Sequence, residues 1–228
     1  MGGIYVIMII FMIASMAVSW RLKSKFKQYS EIGLRSGMSG REIAEMMLAD
    51  NHITDVRVIS TEGMLTDHYD PSNKTVNLSE SVYASRSAAA AAVAAHECGH
   101  AVQHATAYSM LKFRSAMVPA LSVSSRYMQW ILLIGIFMMQ TTLIPLAVGV
   151  ALFALTTLFS FITLPVEFDA SKRALAWMDT RGVVTPQEHA MAKDSLKWAA
   201  MTYVVAALGS LATLLYYGSL LLGSGRRD

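Results

Sequence analysis

Charge is what this sequence has least of. Asp, Glu, Lys and Arg make up 15% of its 228 residues, against about a quarter in soluble domains. Apolar residues reach 54% and the mean hydropathy is +0.41. That balance excludes an ordinary water-soluble globule and points to a membrane protein. Cys98 is the one cysteine, so no intramolecular disulfide can form; a disulfide-stapled scaffold is excluded and a reducing compartment fits. The net charge is only +3. Its basic residues form no stripe interleaved with aromatics, which removes nucleic acid as a partner. Internal repeats and low-complexity linkers are also missing, so the chain reads as a single domain, 1–228.

Uncharged stretches mark where the chain crosses a bilayer. Met1 to Trp20 carries no Asp, Glu, Lys or Arg, and Ile4 to Val18 is almost continuously apolar, close to the length one crossing needs. The stretch from Tyr127 to Val166 is uncharged over 40 residues, roughly 60 Å as helix, enough for two crossings of a ~30 Å core. Gln140-Thr141-Thr142 and Pro145 are the place to fold it into a hairpin. Trp198 to Gly225 is the last such stretch, with Tyr203, Tyr216 and Tyr217 near its ends as interface anchors. The expected spans are about 4–19, 127–140, 143–164 and 199–222.

Arg21, Lys23, Lys25 and Lys27 follow the first span directly, and short Lys/Arg-rich loops stay cytoplasmic. The amino terminus is then outside, and 21–126 plus 167–197 form a polar lobe on the cytoplasmic side. Arg226 and Arg227 run against this scheme, since four spans leave them outside. A cleaved signal peptide over residues 1–20 is the competing view, but the basic n-region is missing.

Within the lobe, Ser39-Gly40-Arg41-Glu42 has capping-box spacing ahead of Ile43, Met46, Met47 and Leu48, which predicts a helix to about Asp50. Val56 to Ile59 and Thr75 to Leu78 read as short strands around the turn-rich Asp70-Pro71-Ser72-Asn73. Ser87 to Ala107 then reads as a helix, with alanine at seven of the eight positions 88–95. It also carries His96, Glu97, His100, Gln103 and His104, each costly in lipid, so it is expected inside protein rather than across the membrane.

His96-Glu97-Cys98-Gly99-His100 is the HExxH pattern. Histidines four apart on a helix share a face and can aim two imidazoles at one zinc ion. Glu97, about 100° around, can reach a water beside the metal as general base. The bland alternative is two hydrogen-bonded histidines on a buried helix. Catalytic zinc needs a third protein ligand. His104 is excluded, because eight residues span about 12 Å of straight helix while two donors on one zinc lie within about 4 Å. A metzincin ligand would fall on Thr106 and is absent. Glu167 is the better candidate, since the hairpin returns Leu164-Pro165-Val166-Glu167-Phe168-Asp169 to the cytoplasmic side; its alternative is a carboxylate capping a helix after Pro165. Asp169 reads as an acceptor for a histidine N–H, as a reserve ligand, or as an exposed helix-start charge. His68 reads as a group acting on substrate, an inhibitory ligand, or a turn histidine bonded to Asp67 or Asp70. His52 and His189 are expected to face solvent, and Cys98 to point away from the histidine face.

AAHECGHAVQHA at 94–105, LTDHYDPSNKTVNLSESVY at 65–83 and LPVEFDASKRAL at 164–175 resemble the YugP-type neutral zinc metallopeptidases of bacterial membranes, over nearly the whole chain. The resemblance implies a gluzincin-like zinc endopeptidase with His96, His100 and Glu167 as ligands and Glu97 as catalytic acid/base. A more distant similarity to HtpX-like membrane proteases would want aspartate four residues beyond the glutamate, where this chain has Ser171. The gluzincin comparison also gives the strands a role, with Thr75 to Leu78 as an edge strand that pairs with extended substrate.

The expectation is a mainly α membrane protein of about four transmembrane helices with a small αβ zincin-like lobe. It would bind one catalytic zinc ion and cleave membrane or membrane-proximal polypeptides from the cytoplasmic side of a bacterial plasma membrane. Two rivals are an intramembrane protease, which would want an apolar motif helix and an LDG-like aspartate, and a catalytically silent zinc-binding scaffold.

Overall fold

The computed structural model describes residues 2–224; Arg226 and Arg227 lie outside the described residues. The chain runs α1 (Gly2–Ser30), α2 (Gly40–Asp50), β1 (Arg57–Thr61), β2 (His68–Asp70), β3 (Thr75–Ser79), α3 (Glu80–Tyr83), α4 (Ala88–Ala105), α5 (Ser109–Met138), α6 (Ile144–Arg181) and α7 (Pro186–Ser224). Helices α1, α5, α6 and α7 are long and apolar enough to cross a membrane. Residues 2–17, 113–164 and 202–224 form one compact unit, and 18–112 with 165–201 form the other.

In the first unit the helices pack through small residues. A Cβ on Gly135 of α5 would lie 2.5 Å from the backbone of Leu146 on α6, and one on Gly149 of α6 would lie 2.7 Å from the Leu132 side chain. Glycines at such crossings let backbones approach closely where no hydrophobic force drives helices together. Large apolar side chains point outward instead. Phe137 is 88% exposed, and Ile9, Trp130 and Leu222 are also exposed, which suits contact with lipid and not with water.

The second unit holds a conventional core. The Ser39 side chain accepts from the Glu42 N–H while Glu42 accepts from the Ser39 N–H, a complete capping box that starts α2. Ser87 caps α4 by accepting from the Ala90 N–H. Ile43, Ala44, Met47 and Leu48 of α2 join Ala88, Ala91, Ala95 and Cys98 of α4 in one buried cluster. The alanine run makes this possible, because its side chains fill little of the gap between the two helices. Ala174 and Met178 of α6 belong to the same cluster. Helices α4 and α6 also approach closely, and a Cβ on Gly99 would meet the Ala170 carbonyl oxygen at 2.5 Å.

Four expectations need correcting. Thr75 to Leu78 is no edge strand: β3 is central, parallel to β1 and antiparallel to β2, and wholly buried. Its neighbour β2 ends at Asp70, the first residue of the expected turn, where Asp70 accepts from the Ser72 and Asn73 N–H groups and tightens the bend into β3. Next, α6 does not begin after Pro165 but runs through it. Proline removes one N–H and ordinarily kinks a helix, yet Glu167 sits inside a continuous helix and caps nothing. Asp169 is likewise an interior residue of α6, not a helix-start charge. Finally, His189 is half-buried, with Nε2 beside the Leu175 carbonyl at 3.3 Å.

Gly99→Ala is expected to lower stability by about 1–3 kcal/mol, the cost of overpacking a closed contact. Gly218→Ala meets nothing within 4 Å and is expected to be neutral or to stabilise by about 0.5–1 kcal/mol. Thermal melts of detergent-solubilised protein read both; equal melting of the two variants would show that the Gly99 contact has slack.

Candidate metal centre

The α4 and α6 crossing at Gly99 and Ala170 sets the geometry. His96 and His100 lie on the α4 face turned towards α6, and Glu167 lies on the α6 face turned towards them. The His96 Nε2 to Glu167 Oε2 distance is 3.4 Å, and that from His100 Nε2 is 3.6 Å. All three residues offer ligand atoms within 4.8 Å of one another. Two donors at about 2.0–2.1 Å from a tetrahedral zinc ion stand about 3.3–3.4 Å apart, so both histidine-to-carboxylate spacings suit zinc. The imidazoles meet edge to face at 82°, ring centroids 4.8 Å apart.

The outer nitrogens are also held. Gln103 is fully buried, and its Nε2 donates to the Val166 carbonyl at 2.7 Å and to Asp169 Oδ2 at 2.9 Å. Both partners only accept, so the amide oxygen must face His100, whose Nδ1–H donates to it at 3.1 Å. That leaves the His100 Nε2 lone pair for a metal. Ser171 Oγ lies 3.1 Å from His96 Nδ1 and can accept its proton in the same way. Asp169 therefore touches no histidine; it acts through Gln103 and is paired with Arg173 at 2.6 Å. The expectation of a direct bond from Asp169 fails because the long Gln103 amide fills the gap. Ser171 occupies the position where the HtpX-like pattern has aspartate.

Burial works to raise the Glu167 carboxyl, but His100 and His96 outweigh it and hold the group well below the usual carboxylate range. Burial likewise works to lower His100, and Glu167, with Glu97 and Gln103, reverses the direction and raises it. The site is thus built around a charged carboxylate.

Glu97 is buried beside the cluster, and its Oε2 accepts the Tyr69 N–H of β2 at 3.0 Å. Tyr69 pairs with Val76 across the antiparallel register, and its N–H points away from β3 to Glu97. The outer edge of β2 therefore runs beside α4. The Tyr69 hydroxyl is hydrogen-bonded to His104 Nδ1 at 2.7 Å, so His104 is tied to β2 and is not in the metal group. His68 is exposed, with Nδ1 donating to the Thr66 carbonyl at 2.7 Å rather than to Asp67 or Asp70. Asp67 instead accepts from Ser79. His52 is exposed. Cys98 is buried on the opposite face with Sγ 3.5 Å from the Ala44 carbonyl, and burial pushes its thiol up. Gln103 and Tyr69 were missed in the sequence; the one signal for Gln103 is its place three residues after His100, within reach on the helix surface.

Residues 4–222 match the family described as "Putative neutral zinc metallopeptidase". The chain is 40% identical over 209 residues, 92% of this chain and 92% of the relative, to the "Putative membrane protease YugP" of Bacillus subtilis (strain 168). No solved structure matches it. With a match along almost its whole length, and with a donor set that suits the metal in the family's name, the chain belongs to the YugP-type neutral zinc metallopeptidase family.

Proposed function

We propose that this protein is a gluzincin-like zinc endopeptidase that cleaves membrane-associated or membrane-proximal polypeptides at the cytoplasmic face of a bacterial plasma membrane. One arrangement carries the reading: the donor atoms of His96, His100 and Glu167 lie within 4.8 Å of one another, with Glu97 next in sequence to the first and facing a strand edge. In this reading His96, His100 and Glu167 hold a single zinc ion. Bound zinc would supply Lewis acidity, acidifying water towards a pKa of about 7 and polarising the scissile carbonyl. Glu97 is the general base. Its Oε2 is steadied by the Tyr69 N–H, which leaves Oε1 to take a proton from the attacking water and return it to the leaving amine. The buried Gln103 and the half-buried Ser171 turn the two imidazoles so that Nε2 faces inward.

The role first given to Thr75–Leu78 passes to β2, whose outer edge lies beside Glu97; an extended peptide would add there through main-chain hydrogen bonds. His104 and His68 are the candidates for stabilising an oxyanion, and His104 is the better placed. It sits one turn beyond His100 on α4, whereas His68 is turned to its own backbone. The chain would act as one membrane domain over 1–228, with spans at about 4–19, 127–140, 143–164 and 199–222 and the amino terminus outside. The basic run Arg21, Lys23, Lys25 and Lys27 supports that orientation. A silent zinc scaffold is disfavoured because structural zinc is normally closed by four protein ligands, and the group found among the described residues has three.

Purified full-length wild type is expected to carry one zinc ion and to cleave casein. Glu97→Gln should keep the metal and lose activity by about 10²–10⁴-fold, while Glu167→Ala should lose most of both; cleavage by Glu97→Gln at the wild-type rate would sink the mechanism. Gln103→Leu should weaken zinc about 10–100-fold in chelator competition, with Gln103→Glu restoring part of the affinity. Tight zinc in Gln103→Leu would assign Gln103 to packing alone. His104→Ala is expected to lower kcat with little change in KM or zinc content, and a change confined to KM would move His104 from the reaction to substrate binding.

A further inference from the structure

A concave feature is lined in part by Ser171, whose Oγ meets His96. It is a groove of about 480 Å³ between the polar halves of α6 and α7, floored by Phe168, Leu175, Ala176, Leu196 and Ala200. Lys172, Lys193 and Lys197 stand along it and are exposed, and none has a carboxylate within ion-pair distance among the described residues. Asp179 and His189 close the end near the turn between the helices. At the other end, Phe168 and Ala200 adjoin the points where the apolar runs of α6 and α7 begin or end. The order along the groove is therefore apolar, cationic, then mixed polar.

Lysines that only fix orientation need no cavity between them. Three unpaired ammonium groups over an apolar floor match the chemistry of an amphiphile with an anionic head. We propose that this groove binds one anionic phospholipid, its phosphate held by Lys172, Lys193 and Lys197 and its upper acyl chain laid on Phe168, Leu196 and Ala200. Ser171 lines the same groove and meets His96, so the bound lipid lies directly behind a residue of the candidate metal centre. The site does not depend on the peptidase reading, and its test uses binding alone.

Full-length protein in zwitterionic detergent micelles, supplied with phosphatidylglycerol or phosphatidylcholine and read by native mass spectrometry, is expected to retain one phosphatidylglycerol in preference. Each of Lys172→Gln, Lys193→Gln and Lys197→Gln should reduce retention about five-fold. Lys23→Gln and Lys27→Gln, outside the groove, should leave it unchanged, and melting temperature checks that all variants are folded. Equal retention of the two lipids, or equal losses from the control lysines, would overturn the site in favour of general surface charge. Displacement of the lipid by inorganic phosphate at equal concentration would overturn it in favour of a free-phosphate site, and displacement by a casein peptide in favour of a substrate groove.

Discussion

Everything in the candidate centre hangs on one backbone contact, Gly99 against Ala170. On α4 the two histidines lie three residues before and one after Gly99, and on α6 Glu167 and Ser171 stand at the same offsets from Ala170. Two turns of one helix thus face two turns of another, and each supplies a donor that the other's partners orient. A side chain at position 99 would push the helices apart by about half an ångström or more, on the scale of the tolerance such a constellation allows. Rigid helices rather than loops carry all of these groups, which suits a constellation that must hold within about half an ångström.

The contact also explains what the alanine run does. Ala91, Ala95 and Cys98 present a slim surface to α2, with Ile43, Ala44 and Met47 opposite, while Gly99 presents none at all to α6. The helix carrying the motif is therefore clamped on two sides. Its third side, bearing Glu97 and His104, is left to β2, a strand of three residues attached to the sheet by one neighbour. Small residues fix the core-facing sides and titratable ones face the strand edge, so the site's precision and its access come from different faces of one helix.

What was legible in the sequence was whatever depends on local spacing. The capping box at Ser39, the helix through His96 and His100, and Cys98 on the far side all follow from residues three or four apart. Glu167 was reachable by a longer argument, because an uncharged stretch of two membrane lengths must return to the side it left. Features that arise only when distant segments meet were not legible. Tyr69 belongs to a strand because β3 and Glu97 give its backbone partners, not because His68-Tyr69-Asp70 looks like a strand. Pro165 reads as a helix stop, yet α6 passes through it, with Val166, Ala170, Ala174 and Met178 buried on one continuous stripe. Asp169 had the right charge for a histidine partner and the wrong distance, and only the packed position of Gln103 decides between them.

The identity of those outer partners has an electrostatic meaning. Gln103 and Ser171 are neutral, and the one carboxylate in that layer, Asp169, is matched by Arg173. Near the three donors this leaves two carboxylates with no lysine or arginine partner among the described residues, Glu167 and Glu97. Burying both is costly unless something supplies compensating charge. Under the proposed assignment a divalent ion supplies it in full, whereas an aspartate on either histidine would leave the centre one negative charge in excess. The choice of serine at 171 and glutamine at 103 is thus consistent with a centre balanced for a dication, with Glu97 placed beside it as the general base of the proposed reaction.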